Sequence, residues 1–437
     1  MDGKKTIGLK QRLNSFKEIE LALSKKEALD EAKRCLQCQE ASCMLGCPAS
    51  VNCKEFIRML KEEKPEEAIK EILLHNPVPC ITGRVCQSYR QCEGNCILAK
   101  TGKPINISGL ERFVADNTEW RLNGFPAENG KKIAIIGSGP AGLVAALELR
   151  KKGYSVKIFE AEKRVGGLLV DAIPQYRLPK EITKKFLEQV KQAGIEVQTE
   201  TRVGETVLLN DLAKEFDAVL VASGEDNAKK LKIKGNELKG VWYWNNFLRA
   251  FNEKTQKLSK KKLIVIGGGD TAIDCCRVAV RNHADVTIVY RKAQEFMPAQ
   301  KAEIEEAKKE GVKFSFLLSP MEFVGGKKLK EVVFEKVNIE KEHLVMSGQE
   351  ERMLADLAVV AVGQEQDANI LKGTEMEGQL LEAHSSKTKL AKVFAAGDLV
   401  NKNKTVVHAI RSAKEAAKEI DDFINGRSII PEGITKI

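Results

Sequence analysis

No run of about eighteen apolar residues occurs anywhere in the 437-residue chain, so a membrane-spanning helix is not expected. Residues Met1 to Glu20 are polar and mixed in charge and lack the apolar core of a secretory leader; a cytoplasmic protein is expected. A basic stripe interleaved with aromatics is also missing. The formal net charge is +10, but clusters such as Lys260–Lys262 and Lys327–Lys330 are short and far apart, so nucleic acid is not an expected partner. Helical stretches such as Lys301 to Glu310 mix both signs, the pattern of solvated surface. Outside the first hundred residues the only cysteines are the adjacent Cys275 and Cys276.

What is present is an ordinary globular composition, 43% hydrophobic and 30% charged, at a length that suggests two or three domains. Nine of the eleven cysteines fall between Cys35 and Cys96. In a reducing compartment such a field suits metal ligands better than disulfides. Cys35-x2-Cys38-x4-Cys43-x3-Cys47-Pro48 resembles the bacterial ferredoxin run, whose last cysteine serves a different cluster from the others. Cys86-x5-Cys92-x3-Cys96 follows, and neither group contains histidine. Seven thiols exceed one tetrahedral zinc site, with two zinc sites as the formal alternative.

Helical spacing of Phe56, Ile57 and Leu60 before Pro65, and of Ala68, Ile69 and Ile72 after it, predicts helices among these cysteines. A linker at 123–130 ends the region. A strand, turn, helix, strand pattern then occurs twice: Ile133–Ile136, Ala141–Lys152 and Val156–Phe159, and again Leu263–Ile266, Thr271–Asn282 and Val286–Tyr290. Two dinucleotide-binding domains of the doubly wound kind are implied. Gly137-Ser138-Gly139-Pro140-Ala141-Gly142 brings backbone amides to a pyrophosphate at a helix start, and Glu160 ends the next strand where it can bind a ribose. In the second loop Gly267, Gly269, Asp270, Thr271 and Ala272 give the G-x-G-x-x-A form, and the next strand ends in Arg291-Lys292. A basic pair suits a 2′-phosphate and favours NADPH over NADH. One acid and one basic pair imply two different dinucleotides, FAD beside NAD(P)H.

The order of cysteine region, first glycine loop, Val165-Gly166-Gly167-Leu168, Ile173 to Pro179, second glycine loop and Ala396-Gly397-Asp398 resembles three relatives. They are the glutamate synthase small subunit, the N-terminal half of dihydropyrimidine dehydrogenase, and the large subunit of NADH-dependent ferredoxin:NADP oxidoreductase. The resemblance implies an α/β protein in which a helical domain (residues 1–125) binding two [4Fe-4S] clusters precedes two Rossmann-like domains. The FAD domain (130–250 and 366–437) is interrupted by the NAD(P)H domain (251–365). By position, Cys35, Cys38, Cys43 and Cys96 would hold one cluster. Cys47, Cys86, Cys92 and Glu111 would hold the other, Glu111 standing where relatives carry Gln or Glu; Cys80 or Cys53 is the alternative fourth ligand. Gly167, Leu168 and Arg177 would lie near the flavin or its phosphates, and Gly397, Asp398 and Thr405 would close that site. Gly269, Asp270, Thr271, Arg291, Lys292 and Gly363 would bind the nicotinamide dinucleotide.

The function so implied is an electron relay from NADPH through FAD to two [4Fe-4S] clusters and a separate subunit carrying the acceptor or substrate site, with ferredoxin one candidate acceptor and a hetero-oligomer expected. No catalytic side chain is nominated, because hydride transfer between cofactors needs none. Nothing after Ile437 supplies a substrate domain, so the acceptor is expected on another polypeptide. Three rivals stand beside this reading. One is an NADH-dependent input subunit of a pyrimidine reductase-like complex, and another a non-catalytic nucleotide-binding subunit. The third, a disulfide reductase, would need a Cys-x-x-Cys pair at the flavin; Cys275 and Cys276 are adjacent on a helix, point apart, and read as core fillers.

Overall fold

A computed structural model describes residues 5–252, 258–340, 343–378, 381 and 383–427. The ends of the expected first and last segments, 1–4 and 428–437, and residues 253–257, 341–342, 379–380 and 382 lie outside the described residues. In chain order the helical region holds α1 (Lys25–Lys33), α2 (Cys53–Lys61), α3 (Pro65–His75), α4 (Pro79–Val85) and α5 (Ile107–Asn117). Ser24 and Glu27 form a capping box on α1, and the Asn52 and Asn106 side chains cap α2 and α5. Pro65 and Pro79 open α3 and α4, where a missing N–H costs nothing. The expected apolar sets are buried on α2 and α3.

The first repeat follows as β1 (Lys132–Ile136), α6 (Pro140–Lys151), β2 (Ser155–Phe159), β3 (Glu196–Gln198) and β4 (Ala218–Val221). The second holds β5 (Val241–Tyr243), α7 (Trp244–Phe251), β6 (Lys262–Ile266), α8 (Asp270–Arg281), β7 (Asp285–Tyr290), α9 (Lys301–Lys309) and β8 (Lys313–Phe316). It continues through β9 (Leu318–Gly325), β10 (Leu329–Glu340), β11 (His343–Leu354) and β12 (Leu357–Val360), and the chain ends in β13 (Val393–Ala395) and α10 (Val406–Ile424).

Two compact units result. One comprises Ala22–Val170, Lys180–Glu225 and Gln366–Ile437. Its parallel strands run in the order β13-β4-β1-β2-β3, with two short antiparallel strands added beyond β13. Buried Val219, Val221, Phe159, Phe216 and Val393 fill one of its cores. The other unit comprises Met1–Leu21, Asp171–Pro179 and Asp226–Glu365. Its parallel sheet has the order β5-β12-β6-β7-β8, and β9, β10 and β11 form a separate antiparallel sheet. In both parallel sheets the glycine loop leaves the central strand where the order turns back, the place where open α/β sheets bind ligands.

Two boundaries differ from expectation. The second unit begins at Asp226 rather than 251, because β5 pairs with β12 and α7 buries Trp244, Phe247, Leu248 and Phe251. Residues 5–21 join that unit too, through an Arg12–Glu306 ion pair and an Ile19 N–H donated to Tyr176 O at 2.9 Å. The reading of Lys301–Glu310 as solvated surface also needs correction. Glu310 has no exposed side-chain surface and is paired at 2.8 Å with Arg277 and 2.7 Å with Arg281. The two α8 guanidinium groups are themselves buried; Glu310 at the end of α9 balances both, and Glu303 within α9 pairs with Arg277 as well.

Candidate cofactor sites

The first glycine loop is shaped by backbone crowding. Gly137 has φ +98° and a Cβ there would meet Ala222 O at 2.7 Å, while one on Gly142 would lie 2.0 Å from Gly137 O. At Gly139, by contrast, a Cβ would enter open space. That opening lies at the N-terminus of α6, whose cap is Gly139, and it fits a phosphate group approaching free amides. Buried Glu160 accepts hydrogen bonds from Ser138 N (2.8 Å) and Ser138 Oγ through one oxygen, and from Glu162 N (2.8 Å) through the other. Ser138 Oγ in turn accepts from Gly166 N at 3.0 Å. Gly167 follows, its would-be Cβ 3.0 Å from Gly139 Cα, and Leu168 opens a short helix.

Gly397 (φ +80°) packs toward Ala141, and its N–H is donated to Ser412 Oγ at 2.9 Å. Burial pushes the Asp398 carboxyl up to about 6, with Lys404 opposing and Glu225 adding to the shift. Thr405 caps α10. Arg177 belongs to the other unit, where its Nη1 donates to Asp274 Oδ2 on α8 at 2.7 Å.

The second loop keeps the first two motif glycines and carries Ala272 where the first has Gly142. Gly267 has φ +146° with Ala361 O in the way of a side chain, and Gly269 again faces open space. Asp270 begins α8 and accepts from Gln300 N at 2.9 Å. Thr271 follows on the helix, and Gly363 (φ +141°) accepts a hydrogen bond from Lys229 N at 3.1 Å. Arg291 is exposed, and Lys292 lies 5.9 Å from the centre of the Phe296 ring. Neither makes an ion pair among the described residues, and so both cations are available to an anion. Cys275 and Cys276 are fully buried.

All eleven cysteines are free thiols. Cys35, Cys38, Cys43 and Cys96 line one pocket together with Leu36, Ile57 and Ile97. Burial raises the Cys35 thiol, and the neighbouring Cys43, Cys96 and Cys38 add to the shift. A second group is equally cohesive. Cys47 is pushed up to about 12 by burial and then by Cys92 and Glu111. Cys86 is raised by burial and then by Glu111, Cys92 and Cys47. Glu111 itself is pushed up to about 7 by burial, against hydrogen bonds from Thr82 and Asn76. Within each group the donors lie close enough to feel one another's charge. Among the described residues no three His, Cys, Asp or Glu side chains converge as around a single ion; a cluster of several irons takes its ligands at separate corners, and these donor sets fit it.

Two residues near the thiols carry no motif. Cys53, the first residue of α2, is 1% exposed and lies beside both Cys43 and Cys92, one thiol from each group. Cys80 is buried beside Arg84 and Asp116.

Residues 131–413 match the family model for pyridine nucleotide-disulphide oxidoreductases. The chain belongs to that family. Ahead of it, residues 12–121 match dihydropyrimidine dehydrogenase domain II, 4Fe-4S cluster, so this pyridine nucleotide-disulphide oxidoreductase carries an iron-sulfur domain on its N-terminal side. It is 32% identical to the glutamate synthase [NADPH] small chain of Azospirillum brasilense, over 97% of this chain and 95% of that one. It is also 32% identical to the NAD-dependent dihydropyrimidine dehydrogenase subunit PreT of Escherichia coli, over 94% and 98%. The NADP(+)-dependent formate dehydrogenase subunit beta of Moorella thermoacetica matches at 32% over 90% of this chain and 61% of that one. Among solved structures, Mycobacterium tuberculosis FprA in complex with NADPH aligns with a TM-score of 0.58 at 18% identity, over 68% and 85% of the two chains. That likeness shows the fold. No helix among the described residues is long and apolar enough to cross a membrane.

Proposed function

We propose that this oxidoreductase is a cytoplasmic electron-input subunit that oxidises NADPH with a bound FAD and two [4Fe-4S] clusters and passes electrons to a separate protein subunit. Bound together, these groups would supply hydride and single-electron chemistry. The observation that carries the reading is that the seven motif thiols and Glu111 fall into two four-donor groups in the same unit as the Glu160 glycine loop. Cys35, Cys38, Cys43 and Cys96 would hold one cluster; Cys47, Cys86, Cys92 and Glu111 the other. Gly139 leaves room for the FAD pyrophosphate, and Glu160 would accept from its ribose. The Gly269 opening and the free cations of Arg291 and Lys292 favour NADPH, whose 2′-phosphate needs such a pair. The relatives named as subunits or small chains support a partner polypeptide.

The test is anaerobic stopped-flow mixing with NADPH, followed at the flavin absorbance band, with iron determined on the same preparation. Bleaching of the band and about eight irons per chain are expected. An unchanged spectrum, or zinc in place of iron, overturns the proposal.

A further inference from the structure

Glu111 is held by a hydrogen-bond network that no sequence motif announces. Gly83 sets it up: a Cβ there would come within 2.8 Å of Arg112 N, so only glycine lets α4 lie against the backbone of α5. That contact brings Thr82 on α4 against Glu111 on α5, while Asn76 caps the end of α3 nearby. Asn76 and Thr82 are each 1% exposed. Asn76 Oδ1 accepts from Val78 N at 3.1 Å, which fixes the amide with its NH2 group toward Glu111. The two amide hydrogens then go to Thr82 Oγ1 at 2.6 Å and Glu111 Oε1 at 2.7 Å. Thr82 Oγ1 has three acceptors in reach, and Glu111 Oε1 at 2.9 Å is nearer than Val78 O at 3.1 Å or Pro79 O at 3.5 Å.

Both donors therefore converge on one carboxylate oxygen. Among the described residues Oε2 accepts no hydrogen bond, and it is the oxygen left for a metal.

We infer that Asn76 and Thr82 are positioning residues that anchor Glu111 by Oε1, present Oε2 to the second iron-sulfur cluster, and thereby make that ligand position selective for a carboxylate over a carboxamide. This rests on the assignment of Glu111 as a ligand in the proposed function. A glutamine in its place would satisfy the two donors with its carbonyl oxygen and turn an NH2 group, which has no lone pair to give, toward the iron. The flipped amide would set its NH2 against that of Asn76, donor facing donor. The sequence resemblance tolerates either residue at this position; the local network decides for this chain.

The experiment uses the full-length protein purified anaerobically, with iron determination and EPR-monitored redox titration of both clusters. The first cluster and the flavin spectrum serve as internal controls for folding. Glu111→Gln is expected to lose about half of the iron and the signal of the second cluster only. Thr82→Val, which keeps the shape and removes the donor, is expected to lower the midpoint potential of the second cluster, because its carboxylate becomes a stronger electron donor. Thr82→Ser is expected to restore it. Parent potentials for both clusters in Thr82→Val, or a fully iron-loaded Glu111→Gln, would overturn the inference and leave the relay intact. Parent protein holding only about four irons per chain would overturn the ligand assignment and this inference with it.

Discussion

At the end of β2 the chain places Glu160, buried and supplied with hydrogen bonds by Ser138 and the Glu162 N–H; at the end of β7 the equivalent place belongs to Arg291, exposed and without an ion pair among the described residues. The two units repeat one strand, turn, helix, strand plan, yet they treat charge in opposite ways. The first satisfies its buried acid with backbone and hydroxyl donors of the glycine loop itself. The second buries charge away from its loop, as Arg277 and Arg281 against Glu310, and keeps the loop-side cations open. A carboxylate held by neutral donors stays an acceptor for ribose hydroxyls, whereas an uncommitted guanidinium suits a phosphate. The difference therefore lies in how each strand end is partnered, and both halves of it are open to mutation.

The largest effect is expected away from either loop. Glu310→Gln leaves buried Arg281 without its carboxylate and Arg277 with Glu303 alone, and should destabilise by about 3–5 kcal/mol, read as a lowered urea midpoint for the unit of the second loop. A related pH series has a definite sign. Burial opposes ionisation of Glu310, but Arg281 and Arg277 outweigh it and hold the carboxyl down at about 2, below its ordinary 4.5. The stabilisation it contributes is thus present above about pH 4.5 and lost as pH falls toward about 2. The gap between parent and Glu310→Gln should be flat near neutrality and should close in acid. A gap of constant size down to pH 3 would break the assignment.

Next in size, Gly142→Ala drives a methyl group into Gly137 O, an overpacking cost of about 1–3 kcal/mol, and purified protein should retain less flavin. Replacing both Arg291 and Lys292 by Ala should raise KM for NADPH about tenfold, roughly 1.4 kcal/mol, and leave KM for NADH unmoved. Equal changes for the two nucleotides would erase the contrast between the strand ends. The smallest effect belongs to Ala272→Gly, the counterpart of Gly142→Ala in the second loop. There the helix loses only about 0.5–1 kcal/mol, and the NADPH constants should stay at parent values.

Much of this was legible in the residues. Strands and helices of both repeats lie within a residue of where apolar runs and glycines predict them; the expected Ile133–Ile136 is β1, Lys132–Ile136. The grouping of Cys96 with Cys35, Cys38 and Cys43 was readable from the resemblance alone, since no local pattern joins residues so far apart. Glu310 was misread because a charged residue at the end of a mixed-charge helix looks the same whether or not two arginines wait behind it. Asn76 and Thr82 were invisible for a related reason, and Cys53 stood out only as an alternative ligand. Their roles arise from α2, α3, α4 and α5 packing together, and polar residues brought into register by tertiary contact leave no periodic trace. The affiliation of β5 and α7 with the second sheet was likewise a matter of strand pairing, which local propensity does not encode.

The attachment of residues 5–21 to the second nucleotide unit also bears on how the protein is made. Arg12 leaves the ribosome 294 residues ahead of its partner Glu306, a wait of about 15–60 s at ordinary elongation rates of about 5–20 residues per second. Throughout that interval Arg12 lacks its native partner, and Tyr176, whose carbonyl accepts from Ile19, also emerges only after the helices and thiols just behind the head, which can already assemble. Metal loading can thus begin on a polypeptide whose first residues are still waiting for a surface that has not been synthesised.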